Sequence, residues 1–141
     1  MTLTASDIQQ IIRTGLPAAE ETDLRIEEVT ADHVTARYPF HPGMVRPGGT
    51  LSGPTMMGLA DAAMYAAIMA RLGRVEMAVT SNLNINFLSK PGQADLLARA
   101  RVLRLGSRLA FLEVELYSAG SPDMVAHVTG SYALPVRKEP S

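Results

Sequence analysis

Residues 46–72 read RPGGTLSGPTMMGLADAAMYAAIMARL. Pro54 suits the first turn of a helix and Gly73 its C-terminal stop, so the pattern predicts a helix over residues 54–72. The helix is apolar on nearly every side, which predicts that it is buried all round. At 1.5 Å per residue it is about 28 Å long, and a buried rod of that length requires a sheet that wraps it.

Segments on both sides of this helix have the alternation of strands. The predicted strands cover residues 24–30, 33–40, 76–89, 95–105, 109–117 and 123–134. The fold class predicted from this order is α+β, with a long central helix wrapped by a curved antiparallel sheet of five to six strands. Arg99 would face Glu115 and Arg101 would face Glu113 if the loop between their strands has three residues, 106–108. One sheet edge stays open in a monomer, and edge-to-edge dimerisation would close it.

Composition limits the function classes. The 141 residues carry a formal charge of −1 and no cysteine, which excludes disulfide scaffolds and cysteine nucleophiles and argues against nucleic-acid binding. We expect one domain over residues 1–141, with a helical extension over 1–20 and a flexible tail over 136–141. The N-terminus lacks the basic and apolar regions of a signal peptide, so the predicted location is cytoplasmic, with no membrane partner.

Asp61 is the strongest candidate for chemistry. It is the only charged side chain between Arg46 and Arg71, and it lies two turns into an otherwise apolar helix. Burying a carboxylate without a partner is costly, so a second group must offset that cost. The pattern leaves two roles open: a catalytic carboxylate, or a structural one that bonds to a backbone amide or an arginine.

The junction before the helix is the second candidate. Gly48, Gly49 and Gly53 allow the backbone to approach a ligand closely, and a helix start carries free N–H groups that favour an anion or an oxyanion. The glycine spacing matches neither a dinucleotide-binding fingerprint nor a P-loop. An ordinary turn and helix cap would account for the same residues.

The histidines and the helix-capping serine give weaker signals. His33, His41 and His127 have no metal-ligand spacing, so no metal site is predicted. Ser52 does not belong to a Gly-x-Ser-x-Gly elbow, and we do not expect it to be a nucleophile of that kind.

Four motifs, in this order, resemble those of the hotdog-fold acyl-CoA thioesterases of the phenylacetate-degradation type. They are the glycine pair and helical Leu-Ala-Asp within residues 46–64, NLNINFL at 82–88, RLGSRLAF at 104–111 and GSYALP at 130–135. The resemblance spans residues 20–135. It implies a thioesterase without a separate cofactor, because coenzyme A is part of the substrate. It also implies a homodimer with shared active sites, paired again into a dimer of dimers.

The resemblance also implies roles for individual residues. Asp61 would be the general base or the nucleophile, and the Gly53 amide would polarise the thioester carbonyl. Thr80, Ser81 or Asn82 would arrive from the partner subunit. The full set implied in substrate binding is Arg46, Gly49, Ser52, Met57, Tyr65, Thr80, Ser81, Asn82, Lys90, Arg104 and Arg108, of which Lys90, Arg104 and Arg108 would bind the phosphates of coenzyme A.

The chain departs from the family pattern at two places. Pro47 stands where the family has a histidine before the glycine pair, and Arg46 stands near the place of a polar amide that helps to hold the thioester or water. These departures favour one alternative, a hotdog protein that binds acyl-CoA without hydrolysing it. A hotdog dehydratase ranks lower because no histidine lies on the central helix. The sequence does not specify the acyl group. Met56, Met57, Met64 and Met69 suggest an adaptable apolar pocket, and an ordinary core would account for the same residues.

Overall fold

The computed structural model describes residues 2–136. Residues 137–141, most of the predicted tail, lie outside the described residues. The helices are α1 (Ala5–Gly15), α2 (Pro17–Glu21) and α3 (Gly53–Leu72), and the strands are β1 (Arg25–Val29), β2 (Val34–Tyr38), β3 (Val79–Phe87), β4 (Leu96–Leu105), β5 (Leu109–Ser118) and β6 (Met124–Ala133). No helix within the described range is long and apolar enough to span a membrane.

The six strands form one antiparallel sheet in the order β1-β2-β4-β5-β6-β3. Helix α3 packs mainly on β4, β2 and β5, in the middle of this sheet. Most strand positions that face the helix are small or aliphatic, and Ala98, Ala100 and Ala110 are fully buried. Small side chains let a helix lie close to a sheet, which explains a core with few aromatic residues. The predicted α+β fold is confirmed, with six strands.

The β4–β5 hairpin has the predicted cross-strand pairs. Arg99 lies opposite Glu115 and Arg101 opposite Glu113, and Arg101 donates a hydrogen bond of 2.6 Å to Glu113. The loop between the strands is the expected three residues, 106–108. A register shift between Val102 and Arg104 adds a bulge that the charge pattern did not predict.

The N-terminal helices begin as their capping residues dictate. Thr4 and Asp7 form a reciprocal capping box at the start of α1. Helix α1 ends at Gly15, and Pro17 starts the second helix, α2. Proline suits a first helical turn because its missing N–H is not needed there.

Helix α3 is not buried all round, which corrects the expectation from its composition. Pro54, Met57 and Gly58 are exposed, and Asp61 and Tyr65 are half-buried. These five residues lie on one helical face, which we call the open stripe. The opposite face, including Leu59, Ala63 and Met64, is fully buried. The sheet therefore covers one side of the helix and leaves the carboxylate accessible.

Candidate active site

Asp61 lies on the open stripe and is held by two hydroxyl groups. Thr80 Oγ1 donates to Asp61 Oδ1 at 2.6 Å, and Tyr132 Oη lies 2.8 Å from the same oxygen and 3.0 Å from the Asp61 carbonyl oxygen. The second group that the carboxylate required is therefore a pair of hydroxyls, neither a backbone amide nor an arginine. Within residues 2–136, no hydrogen bond reaches Asp61 Oδ2.

A β-bulge brings Thr80 to this position. Asn82 pairs with Ser131, whereas Thr80 pairs with Tyr132, so Ser81 is the extra residue between them. Bulges re-aim side chains and are common beside active sites. Of the three residues expected to arrive from a partner subunit, Thr80 reaches Asp61 of its own chain, which corrects that expectation. Ser81 and Asn82 do not join this cluster.

Tyr132 is the member of the site that sequence reasoning missed. It is buried at 3% exposure, and its ring stacks on Tyr65 with centroids 6.1 Å apart and planes 10° from parallel. Burial, aided by the negative charge of Asp61, raises the pKa of the Tyr132 phenol well above its usual range, so the hydroxyl stays protonated. A tyrosine on the inward face of the last strand needs a hydrogen-bond partner for its hydroxyl. That requirement could have pointed to Tyr132 as a neighbour of a buried polar group.

Two neighbouring tyrosines complete the surroundings of Asp61. Tyr65 Oη donates to the carbonyl oxygen of Glu76 at 2.9 Å, which fixes its ring. Tyr38 is buried, and its hydroxyl lies 3.3 Å from the place where a Cβ on Gly58 would stand. Burial raises the pKa of Tyr38, and the charge of Asp61 contributes to that rise. The phenols of Tyr38 and Tyr132 thus both stay protonated within reach of the Asp61 charge, and Tyr132 contacts the carboxylate directly.

The start of α3 presents one free amide. The Ser52 side chain caps the helix by accepting from the Thr55 amide at 3.2 Å, so its oxygen is already engaged. Within the described range, the Gly53 amide has no hydrogen-bond acceptor, and it stands at the positive end of the helix dipole. The ring of Phe87 comes within 3.2 Å of the position that a Cβ on Gly53 would take. A carbonyl oxygen is the kind of group that this amide can bind.

The loop before α3 has a backbone that requires glycine at two positions. Gly48 and Gly49 have positive φ angles of 103° and 82°, which residues other than glycine rarely adopt. Gln93 Nε2 donates to the Gly49 carbonyl oxygen at 3.1 Å. Buried Leu51 anchors the end of the loop, where it forms an isolated bridge with Val45.

The predicted phosphate-binding residues do not gather in one place. Lys90 follows the C-terminal end of β3, next to Phe87. Arg104 and Arg108 lie on either side of the β4–β5 turn, which is at the opposite end of the sheet, near Thr80. Arg46 is exposed in the loop before α3. Among residues 2–136, none of these four side chains forms an ion pair. All four are thus available to an anion, but at different parts of the chain.

Comparison with known proteins identifies the family of the chain. The sequence model of the thioesterase superfamily matches residues 48–125, which include Gly53, Asp61 and Thr80. A crystal structure from a Silicibacter species named as a thioesterase is 34% identical, with 94% of this chain and 92% of that chain covered and a TM-score of 0.85.

Two further relatives are more distant. The phenylacetic acid degradation protein PaaI of Thermus thermophilus, solved as a mutant, is 26% identical, with 83% of this chain and 97% of that chain covered and a TM-score of 0.71. A Saccharolobus solfataricus protein named as an esterase is 25% identical over 111 residues, which cover 79% of this chain and 73% of that protein.

Proposed function

The chain belongs to the thioesterase superfamily, and on that premise we propose that it hydrolyses acyl-CoA thioesters with the carboxylate of Asp61. The proposal rests on one observation, the position of the Asp61 side chain. It is half-buried on the open stripe, with both donors on Oδ1 and none, within residues 2–136, on Oδ2. A carboxylate held in this way keeps one oxygen ready to accept a proton or to attack a carbonyl carbon.

The reaction needs a base and an oxyanion donor. In the general-base route, Asp61 takes a proton from water while the water oxygen bonds to the thioester carbon. The amide of Gly53 stabilises the negative charge that develops on the carbonyl oxygen. The carbon–sulfur bond then breaks, and the thiolate of coenzyme A leaves and is protonated. In the nucleophilic route, the Asp61 carboxylate attacks the thioester carbon, the carbon–sulfur bond breaks and the thiolate of coenzyme A leaves. Water then cleaves the resulting anhydride, which releases the acid and restores the carboxylate.

The spacing of the two groups favours a site shared between two chains. Gly53 and Asp61 are eight residues apart, about 12 Å along the helix axis. A donor to a carbonyl oxygen and a group attacking its carbon must each approach to about 3 Å. Gly53 of one chain and Asp61 of a second copy can satisfy both contacts, provided that the two open stripes face each other across a dimer.

Strand β3 offers the edge for such a dimer. It pairs with β6 on one side only, and apolar side chains on and beside it are exposed: Met77 by 77%, Val79 by 57% and Phe87 by 53%. An unpaired apolar edge of this kind favours pairing with another strand. Pairing of β3 with β3 of a second copy would bring the two α3 helices together. A further pairing into a dimer of dimers is part of the proposal.

The substrate class follows from the walls of the open stripe. Met57 is 41% exposed one turn before Asp61, and the half-buried ring of Tyr65 lies one turn after it. These flexible and aromatic surfaces suit an apolar acyl or aryl group, including the aryl groups that the likeness to PaaI suggests. Lys90, Arg104 and Arg108 are the cations proposed for the phosphates of coenzyme A, and Arg46 is proposed as a further substrate-binding residue.

Thiol release from a panel of acyl-CoA substrates tests the proposal. The panel contains short, long and aromatic acyl groups, and the wild-type protein should cleave at least one of these classes. Asp61→Asn and Asp61→Ala should lower the rate by at least about 100-fold, the usual contribution of a positioned base. Asp123→Asn removes an equally charged group from an exposed turn and should retain the wild-type rate.

Two outcomes would contradict the proposal. Unchanged rates in both Asp61 variants, with the oligomer intact by light scattering, would exclude Asp61 as the catalytic carboxylate. Calorimetric binding of acyl-CoA by the wild-type protein without thiol release across the whole panel would favour the non-catalytic alternative.

A further inference from the structure

We propose that Tyr132 is a positioning residue that holds Asp61 Oδ1 and thereby makes Oδ2 the reacting oxygen. This inference rests on the proposed function, since it assigns the working atom of the proposed catalytic group. Tyr132 does not touch the substrate in this scheme, and it acts through Asp61.

The geometry of the tyrosine hydroxyl carries the inference. It lies 2.8 Å from Oδ1 and 3.0 Å from the backbone carbonyl oxygen of the same aspartate. The single proton of this hydroxyl is shared between a side-chain and a main-chain oxygen of Asp61, the side-chain oxygen being the nearer, and this restricts rotation of the carboxylate about its side-chain bonds. The donor from Thr80 to Oδ1, at 2.6 Å, reinforces this orientation.

Packing sets the position of that hydroxyl. Tyr132 is 3% exposed, and its ring lies flat against Tyr65. Tyr65 is itself tied to the backbone of Glu76. The hydroxyl therefore belongs to a rigid part of the molecule, and a preorganised donor avoids the cost of ordering it during the reaction.

The two donors make the carboxylate oxygens unequal. Hydrogen bonds to Oδ1 engage the lone pairs of that oxygen. Oδ2 receives no donor within residues 2–136, so its lone pairs are the ones available to water or to a thioester carbon. Without the Tyr132 hydroxyl, Thr80 alone would hold Oδ1, and the carboxylate would rotate and exchange its two oxygens more readily.

Tyr132→Phe tests the inference because it keeps the ring and its stacking on Tyr65 but removes the hydroxyl. We expect kcat to fall about 10- to 100-fold, as for a misplaced catalytic group, while KM changes little. Tyr117→Phe, which removes a hydroxyl bonded to Glu115, is the matched control and should retain the wild-type kcat and KM.

The inference and the proposed function fail in different ways. Wild-type kcat in Tyr132→Phe would overturn the role of Tyr132, even if Asp61→Asn is inactive. A fall in kcat that matches a loss of folded protein, or an effect that appears in KM and not in kcat, would overturn it as well. Full activity of Asp61→Asn in the same assay would instead refute the proposed function.

Discussion

Thr80 and Tyr132 lie directly opposite each other in the β3–β6 ladder, and their hydroxyl groups meet on the same oxygen of Asp61. The bulge at Ser81 produces this pairing. If the register of Asn82 with Ser131 continued without interruption, Ser81 would stand opposite Tyr132. One extra residue in an edge strand therefore decides which side chain supports the carboxylate.

Thr80→Ala should lower kcat by about 10-fold or more, because it removes a charge-assisted donor from the proposed catalytic group. Ser81→Ala is the neighbouring comparison, since its side chain does not join the cluster, and it should stay close to wild type. Steady-state kinetics on the best acyl-CoA of the panel measures both variants. An equal fall in kcat in Thr80→Ala and Ser81→Ala would mean that the hydrogen bond from Thr80 to Asp61 has no specific role.

Complementation between two inactive variants should reveal a shared site. Gly53→Pro removes the amide hydrogen at a position where proline suits the first helical turn, and Asp61→Ala removes the carboxylate. In a symmetric dimer, the mixed species contains one site with both groups intact, so it should regain about half of the wild-type activity. Co-expression with two different tags isolates the mixed species.

A site built within one chain gives the opposite result for that mixed species. Each chain then carries one broken group, and the heterodimer stays as inactive as the two homodimers. Circular dichroism of Gly53→Pro provides the necessary check that α3 still forms.

The elements near the site were largely predictable, because local chemistry specifies them. Pro54 and Gly73 bracket α3, and the alternating Arg and Glu residues fix the β4–β5 register at Arg99 and Glu115. Asp61 stood out because a charge on an apolar helix needs a partner. These features depend on residues that are close in sequence or on one simple periodicity.

The features that the sequence did not predict depend on contacts between residues far apart in the chain. The bulge at Ser81 has no glycine or proline to mark it, and Tyr132 reaches an aspartate 71 positions away. The open stripe was mistaken for a buried surface because an apolar pattern shows only that a surface favours removal from water. It does not show which chain covers that surface.

Asp95 should give the protein part of its resistance to acid. Its carboxylate accepts from the Phe40 amide at 2.6 Å and from Arg37 at 2.8 Å, and these contacts, the amide first, lower the pKa of Asp95 below 3.8. The stabilisation is therefore complete above the pKa of the unfolded chain and is lost as the pH falls through the lower folded value.

Asp95→Asn should accordingly reduce the free energy of unfolding at neutral pH by up to about 1 kcal/mol, a small value because the side chain is partly exposed. The difference from wild type should shrink as the pH falls below 3.8 and through the lower folded pKa, below which both states bind the proton. Urea unfolding at several pH values measures it, with Asp123→Asn as the control for a charge in an exposed turn. If the difference in unfolding free energy between wild type and Asp95→Asn stayed constant with pH, the charge of the Asp95 carboxylate would not be the source of the stabilisation.

Gly130 should be intolerant of a side chain, because β6 passes very close to α3 and β3 at this residue. A Cβ there would lie 2.8 Å from Met64 Sδ and 2.9 Å from the carbonyl oxygen of Asn82. Met64 is fully buried, and the Asn82 oxygen belongs to the ladder that ends in the Ser81 bulge. An added methyl group must therefore displace either the helix side chain or the strand that carries Thr80.

Gly130→Ala should reduce the free energy of unfolding by about 1–3 kcal/mol, the usual cost of overpacking a core. It should also lower kcat, because any shift of β3 moves Thr80 away from Asp61. Gly92→Ala is the control, since no atom lies within 4 Å of a Cβ at that residue. Adding Met64→Val to Gly130→Ala relieves the side-chain clash but leaves the backbone contact, so the double variant should recover only part of the stability. Full recovery of stability in the double variant would mean that the clash with Met64 causes the entire loss. Wild-type stability of Gly130→Ala itself would show that α3, β3 and β6 can move apart without a loss of stability.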